Sequence, residues 1–306
     1  MRSGCWGLLL ALLLPLTARA DEFGQGLQTL WEVMWHQSGT PTRIVRWESD
    51  MRVRFTGVNV AAHREHMMEA LRTVAGESHV RIADVTGTAE ENSANVTVEI
   101  TPDSALEDNQ PCVTLLDFKT ETRIDAASVQ MRDRDAWRCA FHESMHVMGV
   151  RGHPAGQTVL SYFPWKLDGL LPLDRVMLRA WYNPRMHGGM TPFEALPVLA
   201  DELVATVGPA QQQFAMRARD QFYVDTVRQM HTYATGSGDV PAIVKRSGKS
   251  TPDGIRYGRA EMSYFLGVAY LEGTTVPRDA TEAVRWLERA ATMGNRGAQA
   301  KLGAFK

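Results

Sequence analysis

The segment Cys139–Pro154, CAFHESMHVMGVRGHP, restricts this chain more than any other stretch. His142 and His146 stand four residues apart, with Glu143 between them. On an α-helix that spacing puts both imidazoles on one face, one turn apart, where two nitrogens can reach a single metal ion. Glu143 is rotated by about 100° from His142 around the helix. It is poorly placed as a tight ligand but well placed to take a proton from a water molecule. Two histidines and a carboxylate base are what zinc-assisted hydrolysis requires. Gly149 and Gly152 end the helix and let the chain reverse, which makes His153 the natural third ligand. A catalytic zinc takes three protein ligands and keeps one position open. Two plainer readings remain beside these. His142 and His146 could be satisfied neighbours of an inward stripe made by Trp137, Phe141, Met145 and Met148, and His153 could be a loop histidine.

The surroundings of this segment read as mixed α and β structure. Residues 42–56 mostly alternate apolar and polar and predict a strand with a turn in it. His63–Gly76 carries Met67, Leu71 and Val74 at helical spacing, with Gly76 as a stop. Residues 79–85, 94–100 and 126–132 give further strand signals, and a loop containing Cys112 lies before the last of them. The histidine helix then begins near Asp133 or Asp135, either of which can serve as N-cap. His63 and His66 lie three apart on a charged helix face, with no third ligand in view. Residues 191–235 form two amphipathic helical segments. The Gly-, Ser- and Pro-rich stretch 236–254 reads as a linker or long loop.

The N-terminus, MRSGCWGLLLALLLPLTARA, has a basic start, an apolar run from Trp6 to Leu16 and an A-x-A site at Ala18–Ala20. This is the pattern of a secretory signal peptide cleaved after Ala20. The apolar run is too short to span a bilayer comfortably, and no later run is long enough. Cleavage would also remove Cys5, leaving Cys112 and Cys139. A lone pair in an exported protein is a disulfide candidate, with two buried free thiols as the alternative. The formal net charge of −2 offers no electrostatic case for nucleic acid.

Beyond the helix, Thr158-Val159-Leu160-Ser161-Tyr162 is followed by Pro172, Asp174, Leu178 and Tyr182. Together with HESMH these residues resemble the metzincin zinc peptidases, whose zinc motif precedes a methionine turn, S-x-M-x-Y, and a helix P-x-D-x-x-x-L-x-x-x-Y. Two departures stand out. His153 is eleven residues after His142, where the family has ten and this chain has Gly152, and Leu160 replaces the turn methionine. The resemblance implies an α+β metzincin-like domain, Zn2+ held by His142, His146 and His153, and Glu143 as general base. It also implies that Tyr162 lies near the zinc as an oxyanion stabiliser, with a packing role as the alternative. Residues 30–200, with TPTRIVRW and PLDRVMLRAWYNPRMHGGMTPFEALP, are similar to the exported DUF2927 family.

From residue 259 the chain resembles a Sel1-like repeat, a helix-turn-helix related to tetratricopeptide repeats. Leu266-Gly267 recurs as Leu302-Gly303, a period of 36 residues. Small residues such as Gly267, Ala283, Ala290 and Ala298 suit close helix packing. The family implies a protein partner. A cap on the preceding domain is the alternative, since one repeat cannot bury both its faces alone.

The expected organisation is therefore a signal peptide (1–20), a metallopeptidase domain (21–200), a helical connector (201–258) and a Sel1-like repeat (259–306). The expected activity is hydrolysis of peptide bonds in a peptide or protein substrate, outside the cytoplasm and in the bacterial periplasm. The rival expectation is a catalytically silent periplasmic scaffold protein.

Overall fold

The alternating and helical periodicities produce a sheet with helices on it, followed by a run of helices. The computed structural model describes residues 22–36, 39–120, 122–161 and 169–304. The segment read as a signal peptide (1–20) and Tyr162 lie outside those residues. Helix α1 (22–32) buries Phe23, Leu27, Leu30 and Trp31, a stripe of helical period, and Trp31 packs on Phe193 at 5.5 Å between ring centroids. A two-stranded ribbon, β1 (Trp35–His36) and β2 (Thr40–Pro41), follows.

The main sheet contains β3 (Arg46–Trp47), β4 (Met51–Gly57), β5 (Ile82–Asp84), β6 (Val96–Thr101), β7 (Cys112–Thr120) and β8 (Arg123–Arg132). The order β3-β8-β6-β4-β5 is parallel throughout. In β4 the alternation is literal: Met51, Val53 and Phe55 are buried and the residues between them are not fully so. Helix α2 (Val60–Glu77) connects β4 to β5, buries Met67, Leu71 and Val74, and packs against α3 (Ala136–Val147).

Strand β7 departs from the sequence reading, which placed a loop there. It pairs antiparallel with β8 along the edge of β8 opposite β6, and no strand among the described residues pairs with its outer edge. Its side chains are mostly exposed, Leu115 and Phe118 included, so it lacks the one-sided burial pattern that marks a core strand. Two details of α3 also differ. Trp137 is 49% exposed and not part of the inward face. Its ring stacks on His66 at 3.6 Å, and the remainder of the stripe, Phe141, Met145 and Met148, is buried as expected. Asp133 and Asp135 form a 3₁₀ turn ahead of the helix and give no side-chain cap. Asp133 pairs with His63 at 2.6 Å, and Asp135 takes Arg132 and Arg138.

The helical part comprises α4 (Pro172–Trp181), α5 (Pro192–Ala205), α6 (Pro209–Thr235), α7 (Ala242–Arg246), α8 (Pro252–Glu272), α9 (Ala280–Thr292) and α10 (Arg296–Gly303). The stretch read as a linker thus carries α7 and the first turn of α8. Close packing of α8 on α9 depends on Gly267, where an added Cβ would lie 2.8 Å from Leu287 Cγ. Helix α6 packs against α8 and receives Arg289, whose guanidinium donates to the carbonyls of Ala234 and Thr235 at the end of α6. No helix among the described residues is long and apolar enough to cross a membrane.

Candidate metal centre

Helix α3 ends in a turn that sets the position of everything after it. The amide of Val150 donates to Met145 O at 3.2 Å and that of Gly149 to His146 O at 2.9 Å, the paired bonds of a Schellman motif. Gly149 has φ +92°, and a Cβ there would meet Val45 O at 2.3 Å, so two independent reasons require glycine. Gly152 lies against the turn that follows α1, with a Cβ falling 2.2 Å from Val33 O. The last carbonyls of α3 are not left orphaned. Val147 O accepts from Trp47 Nε1 at 2.7 Å and Met148 O from the Tyr182 hydroxyl at 3.0 Å.

This turn carries His153 back over the helix face. The Nε2 atoms of His142, His146 and His153 form a triangle with edges of 3.1, 3.2 and 3.3 Å. Three nitrogens each about 2.0–2.1 Å from one tetrahedral zinc would stand about 3.3–3.4 Å apart, so the cluster fits such an ion. The outer nitrogens explain why the inner ones converge. His142 Nδ1 bonds Val159 O at 2.8 Å and His146 Nδ1 bonds Val150 O at 2.7 Å. A carbonyl can only accept, so both Nδ1 atoms carry the proton and both Nε2 atoms present lone pairs when the rings are neutral. Burial, aided by the neighbouring histidines, lowers the pKa of His146 well below its usual value and presses that of His153 down to about 3. Neutral imidazoles are the form that binds metal.

Glu143 sits beside this triangle, 2% exposed, with Oε1 4.0 Å from His142 Nε2. Thr114 Oγ1 donates to its other oxygen at 2.5 Å. Burial pushes the Glu143 carboxyl pKa up, against the pull of His142 and the Thr114 hydrogen bond. A carboxylate that binds protons more readily than usual suits a general base.

Thr114 is held in place by a covalent clamp. Cys112 and Cys139 form a disulfide with a Cα–Cα distance of 6.3 Å. Cys112 and Thr114 are two apart on β7 and share a strand face, while Cys139 and Glu143 are four apart on α3 and share a helix face. The two cross-links therefore lie in register, one covalent and one hydrogen-bonded, between the edge strand and the site helix.

The segment after His153 is organised by Asp174, which is fully buried. Its carboxylate accepts from the amides of Val159, at 3.2 Å to either oxygen, and Leu171, at 2.9 Å. Val159 then offers its carbonyl to His142. Asp174 thus acts as a positioning residue through one peptide unit. Burial raises its pKa against those hydrogen bonds. Leu160 is completely buried. The whole arrangement opens into a cleft of about 1120 Å³, walled by α3, by β7 and by the chain around Lys249.

Residues 20–145 match the model of a protein family of unknown function, DUF2927. Residues 260–295 match the Sel1 repeat, which points to protein–protein interaction. No curated protein matches the chain. The DUF2927 match ends within HESMH, so it takes in the sheet, His142 and Glu143 and stops short of His146 and His153.

The structure brings His142, Glu143, His146 and His153 together, and Tyr162 lies outside the described residues. His63 and His66 are engaged elsewhere, on Asp133 and against Trp137. Sequence reading missed Thr114, His36 and Arg151, all of which line the cleft. Thr114 had one available signal, its two-residue offset from a cysteine that could bridge to the site helix. His36, pressed to a pKa of about 4 by burial and the charge of Arg151, had none, because it comes from a ribbon more than a hundred residues upstream.

Proposed function

We propose that this chain is an exported zinc-dependent metallopeptidase with a metzincin-like domain, in which His142, His146 and His153 hold Zn2+ and Glu143 is the general base. The convergence of three Nε2 atoms beside a buried, hydrogen-bonded glutamate at an open cleft carries this reading. A zinc ion held there would supply Lewis acidity towards the scissile carbonyl and make a water molecule more acidic. Glu143 takes the proton from the attacking water and returns it to the leaving amine nitrogen. Thr114 keeps the carboxylate oriented by bonding one oxygen and leaving the other towards the cleft. The carbonyls of Val159 and Val150 hold the imidazoles in the ligating tautomer. Export into an oxidising compartment such as the bacterial periplasm is supported by the signal-like N-terminus and the Cys112–Cys139 disulfide.

A second reading, a catalytically silent scaffold, draws on the Sel1 repeat and on Leu160 in the methionine position. Zinc analysis and peptide cleavage separate the two. The peptidase reading expects about one zinc per chain, lost on His153→Ala, and cleavage abolished by Glu143→Gln with zinc retained. Zinc-free protein, or cleavage unaffected by Glu143→Gln, would overturn it in favour of the scaffold.

A further inference from the structure

We infer that the cleft selects peptides bearing an aspartate or glutamate side chain, and that Arg151 is the residue that reads that carboxylate. The inference rests on the peptidase reading and deepens it by naming a substrate class. Arg151 occupies the turn between Val150, whose carbonyl bonds His146, and His153. Its backbone is therefore fixed by the same close packing of Gly149 and Gly152 that builds the metal centre. The side chain is partly buried in the cleft wall, with its guanidinium 5.9 Å from the Phe118 ring centroid on β7. Its charge reaches His36, which in turn influences His146 and His153.

What sets Arg151 apart is its electrostatic bookkeeping. The other guanidiniums on the cleft are committed: Arg138 to Asp135 at 2.8 Å, and Arg246 to Glu32. The carboxylates are committed too. Asp108 is shared by Arg132 and Arg134, each at 2.6 Å, and Glu143 is bonded by Thr114. Among the described residues no carboxylate pairs with Arg151, nor with Lys249 across the cleft. The chain as a whole is slightly acidic, with a formal net charge of −2, yet two cations on its cleft wall, Arg151 and Lys249, have no carboxylate paired to them among the described residues. A guanidinium held partly out of water, with no anionic partner, gains most from a ligand that supplies a planar carboxylate for bidentate bonding.

The test uses the full zinc-loaded chain and pairs of hexapeptides with blocked termini, differing only in Asp or Glu against Asn or Gln at one position. Binding is read by fluorescence anisotropy on the Glu143→Gln variant, and cleavage on the wild-type protein. Acidic peptides should bind roughly tenfold or more tightly than their amides, the scale of one charge-assisted hydrogen bond. Arg151→Gln should erase the difference, and Arg151→Glu should transfer the preference to Lys peptides. That reversal cannot come from misfolding. Equal binding of both peptides, a preference that survives Arg151→Gln, or no binding of any peptide would overturn the inference. Cleavage without acidic preference would sink the role of Arg151 and leave the peptidase reading standing. Arg151-dependent binding without cleavage would do the opposite.

Discussion

The sheet-bearing part of the chain and its helical part place polar groups in opposite ways. Among the described buried residues, every aspartate, glutamate, histidine and arginine, from Glu32 through Arg132, Glu143, His146 and His153 to Asp174, comes before residue 175. Beyond that point the buried polar groups belong to Thr191, Thr226, Ser263, Asn295 and the tyrosines Tyr182, Tyr233 and Tyr264, all uncharged at neutral pH. Burying an ionisable group is costly unless hydrogen bonds or a metal compensate it. The first part carries that cost where a constellation of side chains has to be held still. The second spends its interior on small and apolar contacts such as Gly267 against Leu287, as a packing module does. The two parts are nonetheless joined at the cleft. Glu32 accepts from the Ala155 amide just after His153 and from Arg246 of α7.

The largest expected effect falls on the charged side of this contrast. Glu143→Gln should reduce peptide cleavage by about 10²–10⁴-fold while elemental analysis still finds zinc. An equal loss of zinc would mean that Glu143 serves the fold rather than the reaction. Leu287→Ala sits in the other part and should cost about 2–5 kcal/mol of stability in a denaturant titration without changing zinc affinity. Coupled loss of zinc would break the separation between the two parts. Replacing both Cys112 and Cys139 by Ser should remove roughly 3–4 kcal/mol of stability. It should also lower kcat with zinc retained, because β7 then holds Thr114 against Glu143 less firmly. An unchanged kcat would show that the clamp is only structural. The smallest shift is expected from Asp174→Asn. It should weaken zinc binding by about 10–100-fold in a competition assay, through Val159 and the tautomer of His142, with less effect on the helices beyond α4.

Legibility in the sequence followed the range of each interaction. The helix of HESMH, the closing glycines and the small residues of the repeat are local patterns, and each sits where its spacing implied; the Cys112–Cys139 bridge followed only from there being a lone pair of cysteines. Strand β7 was hidden because an exposed edge strand needs no apolar alternation, and only its pairing with β8 makes it a strand. Trp137 departed from the inward stripe because a ring at the first turn of a helix can stack on a neighbour, here His66, and leave its other side in water. Arg151 looked like an ordinary polar loop residue until the other cleft charges were seen to be paired.

The sequence by itself determined that His142 and His146 share a helix face with Glu143 beside them, since a 3.6-residue turn leaves them no other arrangement. Whether His153 joins them was decided by tertiary structure. Its position depends on Gly149 lying against Val45 and Gly152 against Val33, contacts across more than a hundred residues. The same holds for the environment of Glu143, where β7 supplies the hydroxyl of Thr114 and the disulfide that keeps it there. Helical periodicity acts within one turn of the chain. The convergence of the three histidines, Glu143 and the cleft depends on which distant backbone atoms the closed fold brings within van der Waals reach.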